Sequence, residues 1–392
     1  MKAPLIAVAV PVNTLLLTSA LLWIDPFART NSLLDAAFGA APKWTQVANL
    51  FRSPLTQDIH HGEHPVTSFQ GVADHWRARP GWRVVLIGNS QMFSLSLAPG
   101  EVRQSAPEYT YPDLVTERLQ PEGILTYRLA APGLSYSEAL CEVDYLLIHP
   151  ELRPALIVLQ VNYQAFWNSG IRESLVELFG DRDFRRQAQQ RAQSGKPYAD
   201  DFASALAKCE QKYSRSGSQK PPPQNGFGSL LENFTRRELS AVDVYRRHHE
   251  AKDSFEEMLY RARTYFLRIK PSGARSILGP QLTRSQAALE AIAASCRAAG
   301  VRLAIFMAPV NPAVSLYRSA EDRLRYQGFV RTIAERYGLP MLDLESSVAD
   351  KLWGRQLDGP DPLHMGRTAH AVVAGRVAPF IQVVLEGHWA CN

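Results

Sequence analysis

The sequence predicts an α/β protein built on a parallel sheet. Three observations carry this. Short apolar runs stop abruptly at a polar or glycine residue, as in Val84-Val85-Leu86-Ile87 before Gly88-Asn89-Ser90 and Ala155-Leu156-Ile157-Val158-Leu159-Gln160-Val161 before Asn162. Such runs are what strands buried on both faces look like. Amphipathic helical stretches alternate with them, which parallel strands require of their crossovers. At 392 residues the chain has room for one α/β domain with insertions, or for two domains.

Composition narrows the class. With 46% apolar and 21% charged residues, the chain is that of a folded globular protein. The net charge of +5 is spread along the chain, with no basic stripe interleaved with aromatics, which argues against nucleic acid as a partner. Cys141, Cys209, Cys296 and Cys391 lie far apart without a Cys-x-x-Cys pair, which argues against a structural zinc site and a dense disulfide framework. Buried, unpaired thiols are the favoured reading, one disulfide the other.

Ala3 to Ile24 forms a nearly uncharged apolar stretch, long enough for the ~20 residues of a membrane span. Thr18-Ser19-Ala20 suits signal-peptide cleavage, but Leu21-Leu22-Trp23-Ile24 continues the run and Trp23 suits an interface, so 1–24 reads as an uncleaved anchor with a signal peptide as the rival. Lys2 before the span and Asp25 after it favour a cytoplasmic N-terminus with the rest outside, the topology expected of a single-pass inner-membrane protein with an extracytoplasmic domain. Residues 25–79 form a leader packing on the core. Within it Asp58-Ile59-His60-His61-Gly62-Glu63-His64 offers donors for a metal, but the spacing fits no usual motif and reads as a solvated loop. A short helix is expected over Val72 to Ala78.

The remaining elements follow in order. Helix is predicted over 113–119, strand over 124–129, helix over 137–148 and strand over 155–162. Residues 168–298 break the alternation. They are charged, Arg- and Gln-rich and mainly helical, with Pro221-Pro222-Pro223 in a loop. This is an insertion, serving as a lid or as a partner surface. Helix over 285–298, strand over 301–307, helix over 320–337, strand over 341–344 and a closing helix over 366–385 complete the core. The domain plan is thus 80–167 and 299–386 for the core and 168–298 for the insertion.

Ser90 sits where a strand of an open α/β sheet ends, the usual ligand position. A neutral serine becomes a nucleophile only with a base, a group to orient that base, and donors for the developing oxyanion. Asp361-Pro362-Leu363-His364 supplies a carboxylate and an imidazole three residues apart, on what reads as a tight turn before the closing helix. Gly133, after the second core strand, allows close backbone approach. Asn162, after the third, offers an amide donor. Singly, Ser90 reads equally as a helix cap, Gly133 as a turn glycine and Asn162 as a strand-end cap.

Taken in order, Gly88-Asn89-Ser90, Gly133, Val161-Asn162 and Asp361-x-x-His364 resemble blocks I, II, III and V of the SGNH (GDSL-type) hydrolase superfamily. Met307-Ala308-Pro309-Val310 resembles the strand before the last block. The resemblance implies a three-layer flavodoxin-like parallel sheet. It also implies a Ser90–His364–Asp361 triad, an oxyanion hole from Ser90, Gly133 and Asn162, and chemistry through an acyl-serine without metal or cofactor. Two positions depart from the pattern: Asn89 stands where Asp is usual, and Gln160-Val161-Asn162-Tyr163 where Gly-x-Asn-Asp is usual. With the anchor and insertion, these departures look more like the membrane-anchored members of cell-envelope polymer acylation. These are O-acyl(acetyl)transferases or esterases acting on a polysaccharide or glycan, often beside a membrane-bound O-acyltransferase. The alternative is a non-catalytic accessory protein docking to such an enzyme or polymer.

Overall fold

Strand order fixes where the site is. In a computed structural model, residues 58–60, 69, 72–73, 76–77, 80–96, 98–101, 109–215, 279–314, 316–356 and 359–387 are described. The segment 1–24, and most of 25–79, lie outside them. The chain divides into two units, one of 1–45, 232–270 and 356–359 and one of the rest. The second unit is the one described below.

Six parallel strands, β1 (Asp58–His60), β2 (Trp82–Gly88), β3 (Ile124–Ala130), β4 (Leu156–Val161), β5 (Arg302–Met307) and β6 (Met341–Asp343), form one sheet in the order β1-β3-β2-β4-β5-β6. Without β1 this is the 2-1-3-4-5 order of flavodoxin-like sheets. The order reverses beside β2, and the carboxyl edge at such a switch point is where open α/β sheets bind their ligands. The expected solvated loop at 58–64 is in part strand, since Asp58–His60 pairs with Arg128–Ala130 of β3. Three residues carry no periodicity; the open edge of β3 decides their conformation.

Helices cover both faces. Val84 and Leu86 face one way, with Leu156, Val158 and Phe306, onto α1 (Tyr111–Leu119) and α7 (Arg367–Leu385). Val85 and Ile87 face the other way, with Ile157, Leu159 and Ile305, onto α2 (Tyr136–Ile148), α5 (Gly279–Ala298) and α6 (Ala320–Tyr337). This is the period-2 alternation of a strand buried on both sides. The helix starts are set locally. Thr110 and Asp113 form a capping box on α1, Ser135 and Glu138 form another on α2, and Ser319 caps α6. Gly338, at φ +62°, ends α6 in the left-handed conformation that favours glycine. Phe69, Val72, Ala73 and Trp76 are buried helical residues at 3- and 4-residue spacing, as expected near 72–78.

Of the segment 168–298, the described parts are a 3-10 stretch (Glu173–Gly180), α3 (Arg182–Ala192), α4 (Ala199–Arg215) and α5. Phe179, Phe184, Phe202 and Leu289 join the same core as β2 and β4. Arg191 grips Asp144 of α2 through two bonds, Nε to Oδ2 at 2.7 Å and Nη2 to Oδ1 at 2.8 Å. Among the described residues, α7 is the one helix long and apolar enough to cross a membrane. It carries a double stripe of buried side chains, Ala369, His370, Val373, Ala374, Val377 and onward, against the sheet. Cys141, Cys209 and Cys296 are buried free thiols. Burial pushes the Cys296 thiol up to about 12, which leaves little of the reactive thiolate. Cys391 lies outside the described residues.

Candidate active site

Ser90 follows β2 after one residue, Asn89. It opens a 3-10 turn, Ser90–Met92, capped by Asn89, whose Oδ1 accepts the Gln91 N–H at 3.1 Å. As the first residue of that turn, Ser90 has an N–H with no acceptor inside it. A Cβ on Gly88 would lie 2.8 Å from Gln160 Cβ, besides 2.3 Å from Gln160 Oε1 and 2.6 Å from Met92 Cε, so a larger residue there would displace Gln160. The turn is held from below. The buried Arg128 of β3 donates from Nη1 to Met92 O at 2.6 Å, and Thr110 Oγ1 donates to the same oxygen at 2.7 Å.

Asp361 and His364 lie on β8 (Gly359–Met365), which pairs with β7 (Trp353–Gln356), rather than on the expected free turn. The local geometry is nevertheless turn-like. Asp361 Oδ1 accepts the backbone N–H groups of both Leu363 and His364 at 2.9 Å. Its Oδ2 lies 3.1 Å from His364 Nδ1, and Nε2 on the far side of the ring lies 3.0 Å from Ser90 Oγ. Asn311 Nδ2 donates to Asp361 O at 2.7 Å. Burial opposes the Asp361 charge. The His364 imidazole beside it, the side-chain bond and the two backbone N–H groups outweigh burial and hold its carboxyl below the usual carboxylate range. An ionised carboxylate only accepts, so Nδ1 carries the ring proton and Nε2 is left to accept the Ser90 O–H. That is a base aligned on a hydroxyl. Ser90 and His364 are only partly buried, so a ligand reaches them, whereas Asp361 is 2% exposed.

The other two predicted residues flank this pair at the same edge. Gly133 follows β3 at φ +60°. Its loop is tied back by Ala131 N–H to Gly88 O at 3.2 Å and Asn168 Nδ2 to Gly133 O at 2.6 Å, with Arg172 Nη2 on Pro132 O at 3.1 Å. Asn162 ends β4. Its Oδ1 accepts Ala165 N–H at 2.9 Å, which leaves Nδ2 as the donor. Tyr136 fixes its backbone, donating from Oη to Asn162 O at 3.2 Å and accepting Asn162 N–H at 3.3 Å. Since β3, β2 and β4 are neighbours, the strand ends carrying Gly133, Ser90 and Asn162 lie side by side.

Sequence reasoning missed the groups that hold these residues: Gln91, Gln160, Asn311, Asn168, Arg172 and Arg128. Gln160 carried a signal, being a lone amide in the apolar run 155–161, where a buried polar side chain is informative. Asn168 and Arg172 fall in the segment that reads as an insertion.

No protein-family model matches the chain, and no curated protein matches it. Solved structures do match. The psychrotrophic esterase EstA from Pseudoalteromonas sp. aligns at 12% identity and TM-score 0.36, over 78% of this chain and 98% of that one. Axe2, an acetylxylan esterase from Geobacillus stearothermophilus, aligns at 12% identity and TM-score 0.39, over 77% of this chain and 95% of that one. LAE5, an alpha/beta hydrolase enzyme from the metagenome of Lake Arreo, Spain, aligns at 11% identity and TM-score 0.39, over 78% and 96%. Superpositions this loose carry neither fold nor activity across. The fold rests on the strand order above, and the chemistry on the side chains.

Proposed function

We propose that this chain is an SGNH-type serine acyl-transfer enzyme acting on an O-acylated glycan. The observation that carries the reading is the continuous chain Asp361–His364–Ser90, with bonds of 3.1 Å and 3.0 Å, at the carboxyl edge of the sheet. Ser90 Oγ attacks the acyl carbonyl while His364 Nε2 takes its proton. The Ser90 and Gly133 N–H groups and the Asn162 amide receive the negative oxygen. The leaving alcohol departs with the proton from His364, and acyl-Ser90 remains. A second hydroxyl, deprotonated by His364, then attacks that ester and frees Ser90. Water as the second hydroxyl makes an esterase; a sugar hydroxyl makes an O-acyltransferase.

The cell-envelope setting rests on the apolar segment 1–24 and on the membrane-anchored members of the superfamily that the motifs resemble. In that setting the acceptor is a polysaccharide outside the inner membrane, and a membrane-bound O-acyltransferase is the acyl supplier. The test is to incubate the protein with an acetyl ester donor, with and without an oligosaccharide acceptor. Acetylated oligosaccharide in the second tube is expected of the transferase. Free acetate alone in both tubes leaves an esterase and removes the transferase, and no turnover in either removes the enzyme reading for this donor.

A further inference from the structure

We propose that Gln91 is a positioning residue that sets the reach between Ser90 and His364, with Gln160 as its brace. The proposal rests on the reading of Ser90 and His364 as nucleophile and base.

Gln91 is the residue after Ser90 and is 2% exposed. Burying a primary amide is unfavourable unless its hydrogen bonds are made, and here they are made to three other parts of the fold. One Nε2 hydrogen goes to Leu363 O at 2.9 Å, next to His364 on β8. The other goes to Pro309 O at 3.0 Å, in the loop after β5. Its Oε1 accepts Gln160 Nε2 at 2.8 Å, from the end of β4. Gln160 is also buried, and its own Oε1 accepts Asn89 N–H at 3.1 Å, on the other side of Ser90. The serine is therefore bracketed. Asn89 before it is tied to β4, and Gln91 after it is tied to β4, to the 309 loop and to the strand bearing the base.

This arrangement does more than fill space. An apolar residue of the same bulk would pack equally well but would leave Pro309 O and Leu363 O without this donor. The two N–H groups of one amide diverge at a fixed angle. They hold one carbonyl of the loop after β5 and one of β8 at a set distance from the turn that presents Ser90 Oγ. Gln160 fits above Gly88 only because Gly88 has no Cβ. The residue that stands where the block III pattern has glycine is thus the partner of the residue that follows the serine. Asn311, in the same loop as Pro309, holds Asp361 O.

The experiment uses the full-length protein and the isosteric variant Gln91→Met, with thermal unfolding followed alongside. Two quantities are read. The first is the rate of Ser90 phosphonylation by a fluorophosphonate across pH. The second is the change that Ser90→Ala produces in the His364 ring resonances by NMR, measured with and without Gln91→Met. Displacement of a reacting group by about 1 Å costs ~10²-fold, so a loss of roughly that size is expected in Gln91→Met, with its pH profile moved toward that of His364→Ala. In the Gln91→Met background, Ser90→Ala should no longer move the His364 resonances. A merely structural glutamine would lower the melting temperature and leave the pH profile and the Ser90–His364 coupling as they are; that result overturns the proposal. If Gln91→Met does not fold, Gln160→Met decides on the same readouts: weakened coupling supports the proposal and unchanged coupling overturns it. If the wild type takes no label, yet Gln91→Met still abolishes the Ser90–His364 coupling, the nucleophile reading fails and the positioning role stands.

Discussion

Replacing Asp361 by Asn separates what the carboxylate does for shape from what it does for charge. In Asp361→Asn the amide oxygen can still accept the N–H groups of Leu363 and His364, both at 2.9 Å in the wild type, so the local turn is kept. The other carboxylate oxygen, 3.1 Å from His364 Nδ1 in the wild type, is replaced by an NH2 group. A donor facing an N–H is unfavourable, so the imidazole moves its proton to Nε2, the atom 3.0 Å from Ser90 Oγ. The serine then faces a donor instead of a base. The wrong-tautomer effect in serine proteases is ~10⁴-fold in kcat, about 5.5 kcal/mol at 1.36 kcal/mol per tenfold. We predict that order of loss in hydrolysis of a chromogenic acetyl ester, with a melting temperature within a few degrees of wild type. A kcat within about tenfold of wild type would refute the role assigned to Asp361, because the residual activity left by oxyanion donors and binding alone lies far lower.

Three further outcomes follow from the same geometry. Asn162→Ala removes the amide proposed as an oxyanion donor and should cost roughly 10²–10³ in kcat, with only about 1 kcal/mol of stability from the lost cap on Ala165 N–H; ester hydrolysis and denaturant unfolding check the two. Gly88→Ala drives a Cβ to 2.3 Å from Gln160 Oε1, so it should destabilise the fold by about 1–3 kcal/mol and suppress activity by displacing Gln160 and Met92, measured by urea unfolding and turnover. His370, fully buried, accepts Tyr111 N–H on Nδ1 at 3.0 Å, and burial lowers its pKa from 6.5 to about 4. The folded value lies below the unfolded one, so stability is full above pH ~6.5 and is lost as pH falls toward 4, by roughly 3 kcal/mol across that window. Unfolding at about pH 7.5 and about pH 4 should show this loss in the wild type and much less of it in His370→Gln.

The parts of the fold legible in the sequence are those set by local physics. Val84–Ile87 and Leu156–Val161 are apolar on both faces because both faces are covered, and such a run reads the same in sequence as in space. Helix 320–337 begins at the Ser319 cap and ends at Gly338, both local signals. The juxtaposition of Ser90, Asp361 and His364 is legible because each follows a strand or precedes a helix in a set order. β1 is not, since Asp58–His60 is a strand only through the edge of β3. Nor is the Gln91–Gln160 network: the partners of Gln91 lie 69, 218 and 272 residues away, and no local pattern reports contacts at such separations. The described parts of 168–298 read as an insertion from their charge, yet Phe179, Phe184 and Phe202 are core residues. Charge on the outer face of an amphipathic helix hides what the inner face buries.

Activation of Ser90 by His364 as a nucleophile is open to test on the serine itself. The most direct measurement is intact-mass and peptide mapping after treatment of the full-length protein with a fluorophosphonate. One adduct is predicted, on the peptide containing Ser90, absent in Ser90→Ala and greatly slowed in His364→Ala. A folded wild-type protein that takes no adduct, or a Ser90→Ala protein that labels as readily as wild type, would contradict it.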